Sequence, residues 1–326
     1  MVDHHPGLPV QTRVWRAGAQ PVDTGPSVVT IGVFDGVHRG HRAVLRRAAA
    51  IAAAAGVPLV AVTFDPHPAD VVRRGAPTSR LCSVAHRAEL LQDAGADAVW
   101  VIPFTTELSH LAPDVFVEQI LVSRLAPVAV VVGTDFRFGH HAAGTVATLT
   151  ELGRQLGFEV EAVDLVGRDG DHPWSSTAVR AMLDAGDVER AQEVLGRPHR
   201  LEGEVVHGDH RGRGLGFPTA NLDVDDRAAV PADGVYAGWL VRADGSRAPA
   251  AVSVGTNPTF DGVGRRVEAY VLDAPDPAGP QALDLYGEQV SVDFVTRLRP
   301  MVRFDSVGSL VEQMDSDVAK VRAALA

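Results

Sequence analysis

Cysteine is almost absent from this chain: of 326 residues only Cys82 is one. That excludes an internal disulfide and any cysteine metal cage, and a reducing cytoplasm is the expected compartment. Lysine is equally scarce, with Lys320 the single example. A P-loop needs a lysine after its glycines, and a protein-kinase site needs one on an early strand. Both are excluded, so phosphate chemistry here must run on histidine, arginine, backbone amides and metal. No apolar run approaches the ~18 residues of a spanning helix. Met1 to Gln20, with Asp3 and the His4-His5 pair, has no apolar signal-peptide core. A net charge of −11 leaves no basic surplus, so neither nucleic acid nor an anionic membrane is an expected partner.

What is present describes a soluble globular protein, 46% apolar with a mean hydropathy of +0.05. The length exceeds one ordinary core, so two domains are expected. From Val28 to about Leu195 short apolar runs alternate with helical stretches. Strands are predicted at Val28–Val33, Pro58–Phe64, Ala98–Ile102, Val128–Gly133 and Phe158–Val163. Helices fall near Arg39–Ala55, Val84–Ala94, Pro113–Leu125 and Gly144–Gly157. This rhythm predicts a doubly wound parallel sheet, with ligands beyond the carboxyl ends of the strands. Around Gly196-Arg197-Pro198 the pattern changes to short alternating runs, Gly203–His207, Val235–Val241, Ala250–Val254, Val267–Leu272 and Gln289–Thr296. These predict a small antiparallel β-barrel, closed by an amphipathic C-terminal helix over Ser306–Ala326. The fold class is therefore α/β plus β: residues 1–26 as a lead-in, 27–196 as one domain and 197–326 as the other.

The unusual residues crowd the predicted carboxyl edge. The first strand runs into Gly32-Val33-Phe34-Asp35-Gly36-Val37-His38-Arg39-Gly40-His41 and then a helix. Glycines let backbone amides approach an anion, the helix start adds partial positive charge, and His38 and His41 share a face. That pattern points to phosphate. A metal site would need more ligands than two histidines, and Gly32, Gly36 and Gly40 do not match G-x-G-x-x-G. Asp65-Pro66-His67-Pro68 follows the second strand, and Thr134-Asp135-Phe136-Arg137-Phe138-Gly139 follows the fourth. Ser175-Ser176-Thr177-Ala178-Val179-Arg180 opens a further helix, where a serine is also an ordinary cap.

GVFDGVHRGH resembles the signature of the bifunctional riboflavin kinase/FMN adenylyltransferases, the bacterial FAD synthetases. The likeness continues through TFDPHP, VVGTDFRFG, SSTAVR, GLGFPTANL, GVYAG, VSVGTNPTF and VEAYVLD, in order and over all but the first ~25 residues. It implies a Rossmann-like nucleotidyltransferase domain that moves AMP from ATP to FMN, giving FAD and pyrophosphate. It implies catalytic roles for His38 and His41, and ATP or phosphate contacts at Gly32, Phe34, Asp35, Gly40, Ser176, Thr177 and Arg180. FMN contacts are implied at Phe64, Asp65, His67, Asp135 and Phe136, although Phe64 and Phe136 are equally good core residues. Asp135 stands where the family often has asparagine, and Trp174 where it usually has a small aliphatic residue.

In the second half, Gly208, Gly212, Gly214 and Gly216, with Arg211 and Arg213, form a loop able to wrap phosphates or serve as a plain hairpin tip. Thr219 and Asn221 share one side of a strand, and their oxygens suit a hard cation such as Mg²⁺. By resemblance this half is a riboflavin kinase. ATP contacts are then implied at Gly208, Arg213, Gly214, Gly216, Phe217, Pro218, Thr219 and Asn221, and metal contacts at Thr219 and Asn221. Riboflavin contacts are implied at Asn257 and Thr259, and the catalytic base is Glu268. Without the resemblance, a glutamate beside Val267 in a β-like run reads as a solvated strand face. The implied partners are riboflavin, FMN and ATP; a monomer and a weak homo-oligomer stay equally open. A barrel that only senses flavin would not need Thr219, Asn221 and Glu268 together.

Overall fold

The computed structural model describes residues 13–15, 25–73, 75–164, 174–207, 217–256, 265–272 and 285–326. The chain divides into two compact units, Met1–Thr78 with Val84–Trp174, and Ser79–Ser83 with Ser175–Ala326.

The first unit is built on six strands: β1(Arg13–Trp15), β2(Ser27–Ile31), β3(Leu59–Asp65), β4(Ala98–Pro103), β5(Pro127–Gly133) and β6(Glu159–Val163). Their order is β1-β4-β3-β2-β5-β6, and every neighbouring pair is parallel. Valine-rich strands buried on both faces are what such a sheet requires. The pleat then sends alternate residues to opposite cores. Val28, Leu59, Ala61, Val99 and Val131 face one layer, with Leu45, Ala48 and Leu91 from the helices α1(Arg39–Ala55) and α3(Val84–Asp93). Val29, Val60, Val62, Trp100 and Val130 face the other, with Phe116, Leu121 and Leu149. Between them in sequence, α2(Pro68–Val72) and α4(Thr106–Ser109) are single short turns.

The predicted helix over 113–125 is present with a wider turn inside it: α5(Pro113–Phe116), a π-helical stretch Val117–Val122, then α6(Ser123–Leu125). α7(Val146–Leu156) completes the layer. Three elements have no periodicity long enough to announce them, namely β1, α2 and α4. Strand order reverses about β2, whose neighbours are β3 and β5, so the loops after these three strands meet at one crevice.

The second unit begins with α8(Ser176–Ala185) and α9(Val188–Leu195) and continues into β7(His199–Val206), β8(Thr219–Val224), β9(Gly234–Arg242), β10(Arg247–Thr256), β11(Arg265–Val271) and β12(Gln289–Arg299). These six strands close an antiparallel barrel in the order β10-β11-β8-β7-β12-β9. Leu201, Val205, Leu222, Leu240, Val252, Val267, Val292 and Phe294 are its buried fill. At Gly238 a Cβ would stand 2.4 Å from the Asp293 carbonyl oxygen, so only glycine fits that strand contact. α8 and α9 group with the barrel, where Arg297 donates to the carbonyls of Ala185 and Asp233 and Glu189 accepts from the Arg297 amide.

α10(Val307–Leu325), capped by Ser306, packs Val318, Val321 and Leu325 against Ala251, Tyr270, Leu272 and Leu298. Its anchor is a fork: Arg299 Nη2 and Nε both donate to Asp317 Oδ2, at 2.7 and 2.9 Å, with both side chains largely buried. Removing one partner leaves the other charge stranded, which costs about 3 kcal/mol. Asp317→Ala should therefore lower the unfolding temperature of the barrel in calorimetry, while a replacement at the exposed Lys320 leaves it in place.

Candidate active sites

The first constellation grows out of β2. Past Ile31 the chain enters a turn in which Phe34, Gly36 and Val37 all take positive φ (52°, 76° and 37°). Two non-glycine residues in that region store strain, which persists only where packing enforces it. Here Phe34 and Val37 are buried in the core beneath the turn. The result is that Asp35 and His38 are almost wholly buried at the sheet's carboxyl edge.

His38 caps α1: its Nδ1 accepts from the His41 amide at 3.4 Å. An imidazole that accepts through Nδ1 carries its proton on Nε2, so the cap sets the tautomer. The two imidazoles stack with centroids 3.6 Å apart, and Phe34 meets His41 edge-on at 5.1 Å. No acidic residue occupies the first turn of α1, which leaves the positive end of the helix uncompensated. Burial, then His38, then the Arg87 guanidinium hold the His41 imidazole well below the usual histidine range. Near neutral pH it is an uncharged donor. Its Nδ1 is buried with no hydrogen-bond partner among the described residues, as in a site built for a ligand.

Gly40 is required by closeness. A Cβ there would lie 3.1 Å from His38 Cε1 and Nδ1, and 3.4 Å from the Trp174 carbonyl. Gly40→Ala should displace the His38 ring; for the activities that the resemblance implies, FAD formation should fall about 10-fold with FMN formation from riboflavin unchanged, and separating the flavins produced by the variant checks both halves of that expectation.

Around this turn, His67 caps α2 by accepting from the Ala69 amide at 3.1 Å, and Asp65 ends β3. Phe64 is buried against Phe104 in a core cluster, and Phe136 packs partly buried against the same cluster, stacked on Phe138 at 5.5 Å. Asp135 is exposed just after β5. Trp174 lies under the Arg39 guanidinium, 6.0 Å from its ring. In the second unit Ser175 is the cap of α8, accepting from the Ala178 amide at 3.1 Å, so Ser176 and Thr177 fall in the first turn. Arg180 Nε donates to the Ser79 carbonyl at 2.6 Å.

The second constellation lies on the barrel wall. β8 and β11 pair so that Asn221 stands opposite Glu268 and Thr219 opposite Tyr270. The alternation that buries Leu222, Val267 and Ala269 turns Thr219, Asn221 and Glu268 to the outer face, each partly buried. The Thr219 hydroxyl lies 3.5 Å from Glu268 Oε2, and Arg266 Nη1 lies 3.7 Å from Glu268 Oε1. Phe217 meets Tyr270 edge-on at 5.1 Å, beside Pro218 at the entry to the strand. A carboxylate, a hydroxyl, a side-chain amide and a guanidinium thus share one patch. Gly208, Arg213, Gly214, Gly216, Asn257 and Thr259 lie outside the described residues.

Comparison with known proteins follows this division. A family model described as FAD synthetase matches residues 20–178, and one described as riboflavin kinase matches residues 195–325. A bifunctional riboflavin kinase/FMN adenylyltransferase from Pseudomonas fluorescens is 39% identical over 91% of this chain and 92% of its own. The enzyme of that name from Listeria monocytogenes is 36% identical over 91% of each chain. The chain belongs to this family. Its two halves are an FAD synthetase domain followed by a riboflavin kinase domain. A crystal structure described as a macrolide-efflux protein from Streptococcus pneumoniae is 33% identical, with a TM-score of 0.82 over 92% of this chain and 96% of that one. Among the described residues, no helix here is long and apolar enough to cross a membrane.

Within the FAD synthetase domain the sequence reading missed one residue with a marked environment. Arg87 on α3 is 2% exposed, and its charge acts on His41. In sequence it sits in an ordinary amphipathic helix, and nothing in its neighbours distinguishes it from a surface arginine.

Proposed function

We propose that the chain performs two successive ATP-dependent steps: riboflavin to FMN in the barrel, then FMN to FAD with release of pyrophosphate at the histidine turn. The observation that supports this is the presence of two separate constellations, the stacked His38–His41 pair at a helix start and the Thr219–Asn221–Glu268 patch. We place the adenylyltransferase module at 27–196 and the kinase module at 197–326, with the 1–26 lead-in contributing β1 to the sheet edge.

In adenylyl transfer an FMN phosphate oxygen attacks the α-phosphorus and the bond to the β-phosphate oxygen breaks. There is little covalent work for the protein, so positioning and charge stabilisation carry the rate. His38, with its proton on Nε2, and uncharged His41 donate to phosphate oxygens whose charge grows as pyrophosphate leaves. Amides at the start of α1 and in the Gly32–Gly40 turn hold the anion, with Phe34 and Asp35 shaping the turn. Ser176, Thr177 and Arg180 are assigned to the ATP phosphates, and Asp65, His67, Asp135 and Phe136 to FMN. Phe64, packed into the core, supports that wall from behind.

In the kinase step Glu268 takes the proton of the ribityl 5′-hydroxyl as its oxygen attacks the γ-phosphorus, and ADP leaves. The hydroxyl of Thr219 and the amide oxygen of Asn221 fit Mg²⁺, a hard cation that completes its shell with water and phosphate oxygens. When bound, it neutralises charge on the ATP phosphates. We propose the same requirement for adenylyl transfer, and a cytoplasmic location for the enzyme. Incubation of the pure protein with riboflavin, ATP and Mg²⁺, followed by separation of the flavins over time, should show FMN first and FAD after it. Accumulation of neither product would refute the assignment.

A further inference from the structure

Arg87 is a buried cation with no ion-pair partner among the described residues. Its Nη1 donates to Thr63 Oγ1 at 3.2 Å and to the Phe64 carbonyl at 2.9 Å, while its Nε is buried and has no hydrogen-bond partner among the described residues. Among the described residues no carboxylate lies within ion-pair distance of it. A buried guanidinium normally retains a carboxylate, because an uncompensated charge is costly to bury. Stability alone would favour a leucine or methionine at this position of α3.

The hydrogen bonds show what the charge is joined to. The Thr63 hydroxyl donates in turn to the Val33 carbonyl at 2.8 Å. The line Arg87–Thr63–Val33 thus ties α3 and the end of β3 to the residue before Phe34, where the positive-φ turn begins. That turn carries His38 and leads into His41. The groups whose charge acts on His41 are His38, on the turn beneath it, and Arg87, on α3; Asp35 is buried on the same turn.

We propose that Arg87 is a positioning residue for adenylyl transfer, bracing the histidine turn through Thr63 and placing a buried positive charge beside His41. The inference rests on the assignment of adenylyl transfer to this turn. Two consequences follow for the reaction. The brace holds both donors where the α- and β-phosphates must sit, without a side chain of Arg87 touching substrate. Together with the burial of His41, the positive charge opposes protonation of that imidazole, and it adds favourable potential as negative charge develops.

The test separates brace from charge in the full-length chain. Histidine ring signals are followed by NMR across pH, with His41 assigned from the spectrum of His41→Asn, and FAD formation from FMN and ATP is measured over the same range. Arg87→Met removes a positive neighbour, so the His41 titration midpoint should rise and the acid limb of FAD formation should move to higher pH. The rate near neutral pH should fall about 10- to 100-fold. Arg87→Lys keeps the charge and loses the fork, so the midpoint should stay near its original value while the rate falls. Thr63→Val cuts the brace alone and should lower the rate without moving the midpoint. FMN formation from riboflavin should be unchanged in all three, which reports that the chain is folded. An unmoved His41 midpoint in Arg87→Met, or full FAD formation in Thr63→Val, would overturn the proposal. Should the unaltered chain make no FAD while the midpoint still moves in Arg87→Met, the assignment of adenylyl transfer falls and the charge effect stands.

Discussion

Replacing His38 by alanine should abolish FAD production and leave FMN production from riboflavin intact. His38 has one role in the fold and a second in the proposed reaction, and alanine fills neither. Its Nδ1 is the cap of α1, and the proposal makes its Nε2 proton the donor to phosphate. Loss of one preorganised donor to a developing oxyanion lowers a rate by about 10²- to 10³-fold. Loss of the cap adds about 1 kcal/mol of helix destabilisation and frees the ring of His41, which stacks on His38 at 3.6 Å. The two losses act on one centre, so the combined effect exceeds that of a donor alone. His38→Asn separates them, since asparagine is a good cap but does not place a proton where the imidazole Nε2 stands. The expected order of FAD formation is unaltered chain, then His38→Asn, then His38→Ala. Equal FMN formation in all three would show that the barrel is untouched, and a matching loss of both activities in folded protein would refute the two-site assignment.

The contrast between the two halves of the molecule shows what a sequence can display. The parallel sheet is legible because β2, β3 and β5 are continuous apolar runs separated by helices of regular period, and α1 begins at Arg39 and ends at Ala55 as the periodicity predicts. The histidines and glycines of the turn stand out in the sequence as well, although their roles are implied by the resemblance, and His38 and Gly40 also serve the fold as a helix cap and a close contact. What is not visible is what packing creates. The π-helical stretch Val117–Val122 has the composition of ordinary helix, and Phe116 and Leu121 are both buried in the core beside it. β1 is three residues long and becomes a strand only by pairing with β4. Arg87 looks like any helix arginine until α3 docks and buries it. The lowered proton affinity of His41 depends first on its own burial, then on His38 and Arg87, which the fold brings beside it. Even the capping serine could be assigned only from structure: Ser175 caps α8, and Ser176 and Thr177 fall in the first turn.

Glu268→Gln should stop FMN formation from riboflavin while FAD is still made from supplied FMN. The register carries the argument. Because Glu268 stands opposite Asn221 and its carboxylate reaches toward the Thr219 hydroxyl at 3.5 Å, the base and the two oxygen donors cannot be altered independently by a shift of one strand. Glutamine keeps the size and the contact with Thr219, but it cannot accept the hydroxyl proton. A general base contributes about 10²- to 10⁴-fold, and that is the loss expected in the kinase rate. The same substitution also removes the negative charge that faces Arg266, 3.7 Å from Oε1, so a displaced guanidinium is a second source of loss. Arg266→Gln resolves this: it removes the cation and keeps the base. If the carboxylate is the base, Arg266→Gln should retain most of the kinase rate and Glu268→Gln almost none. Asn221→Ala should instead raise the Mg²⁺ concentration needed for half-maximal rate, with Glu268 still in place. A Glu268→Gln enzyme that makes FMN at an undiminished rate would assign the patch a binding role and leave the proton to be taken elsewhere.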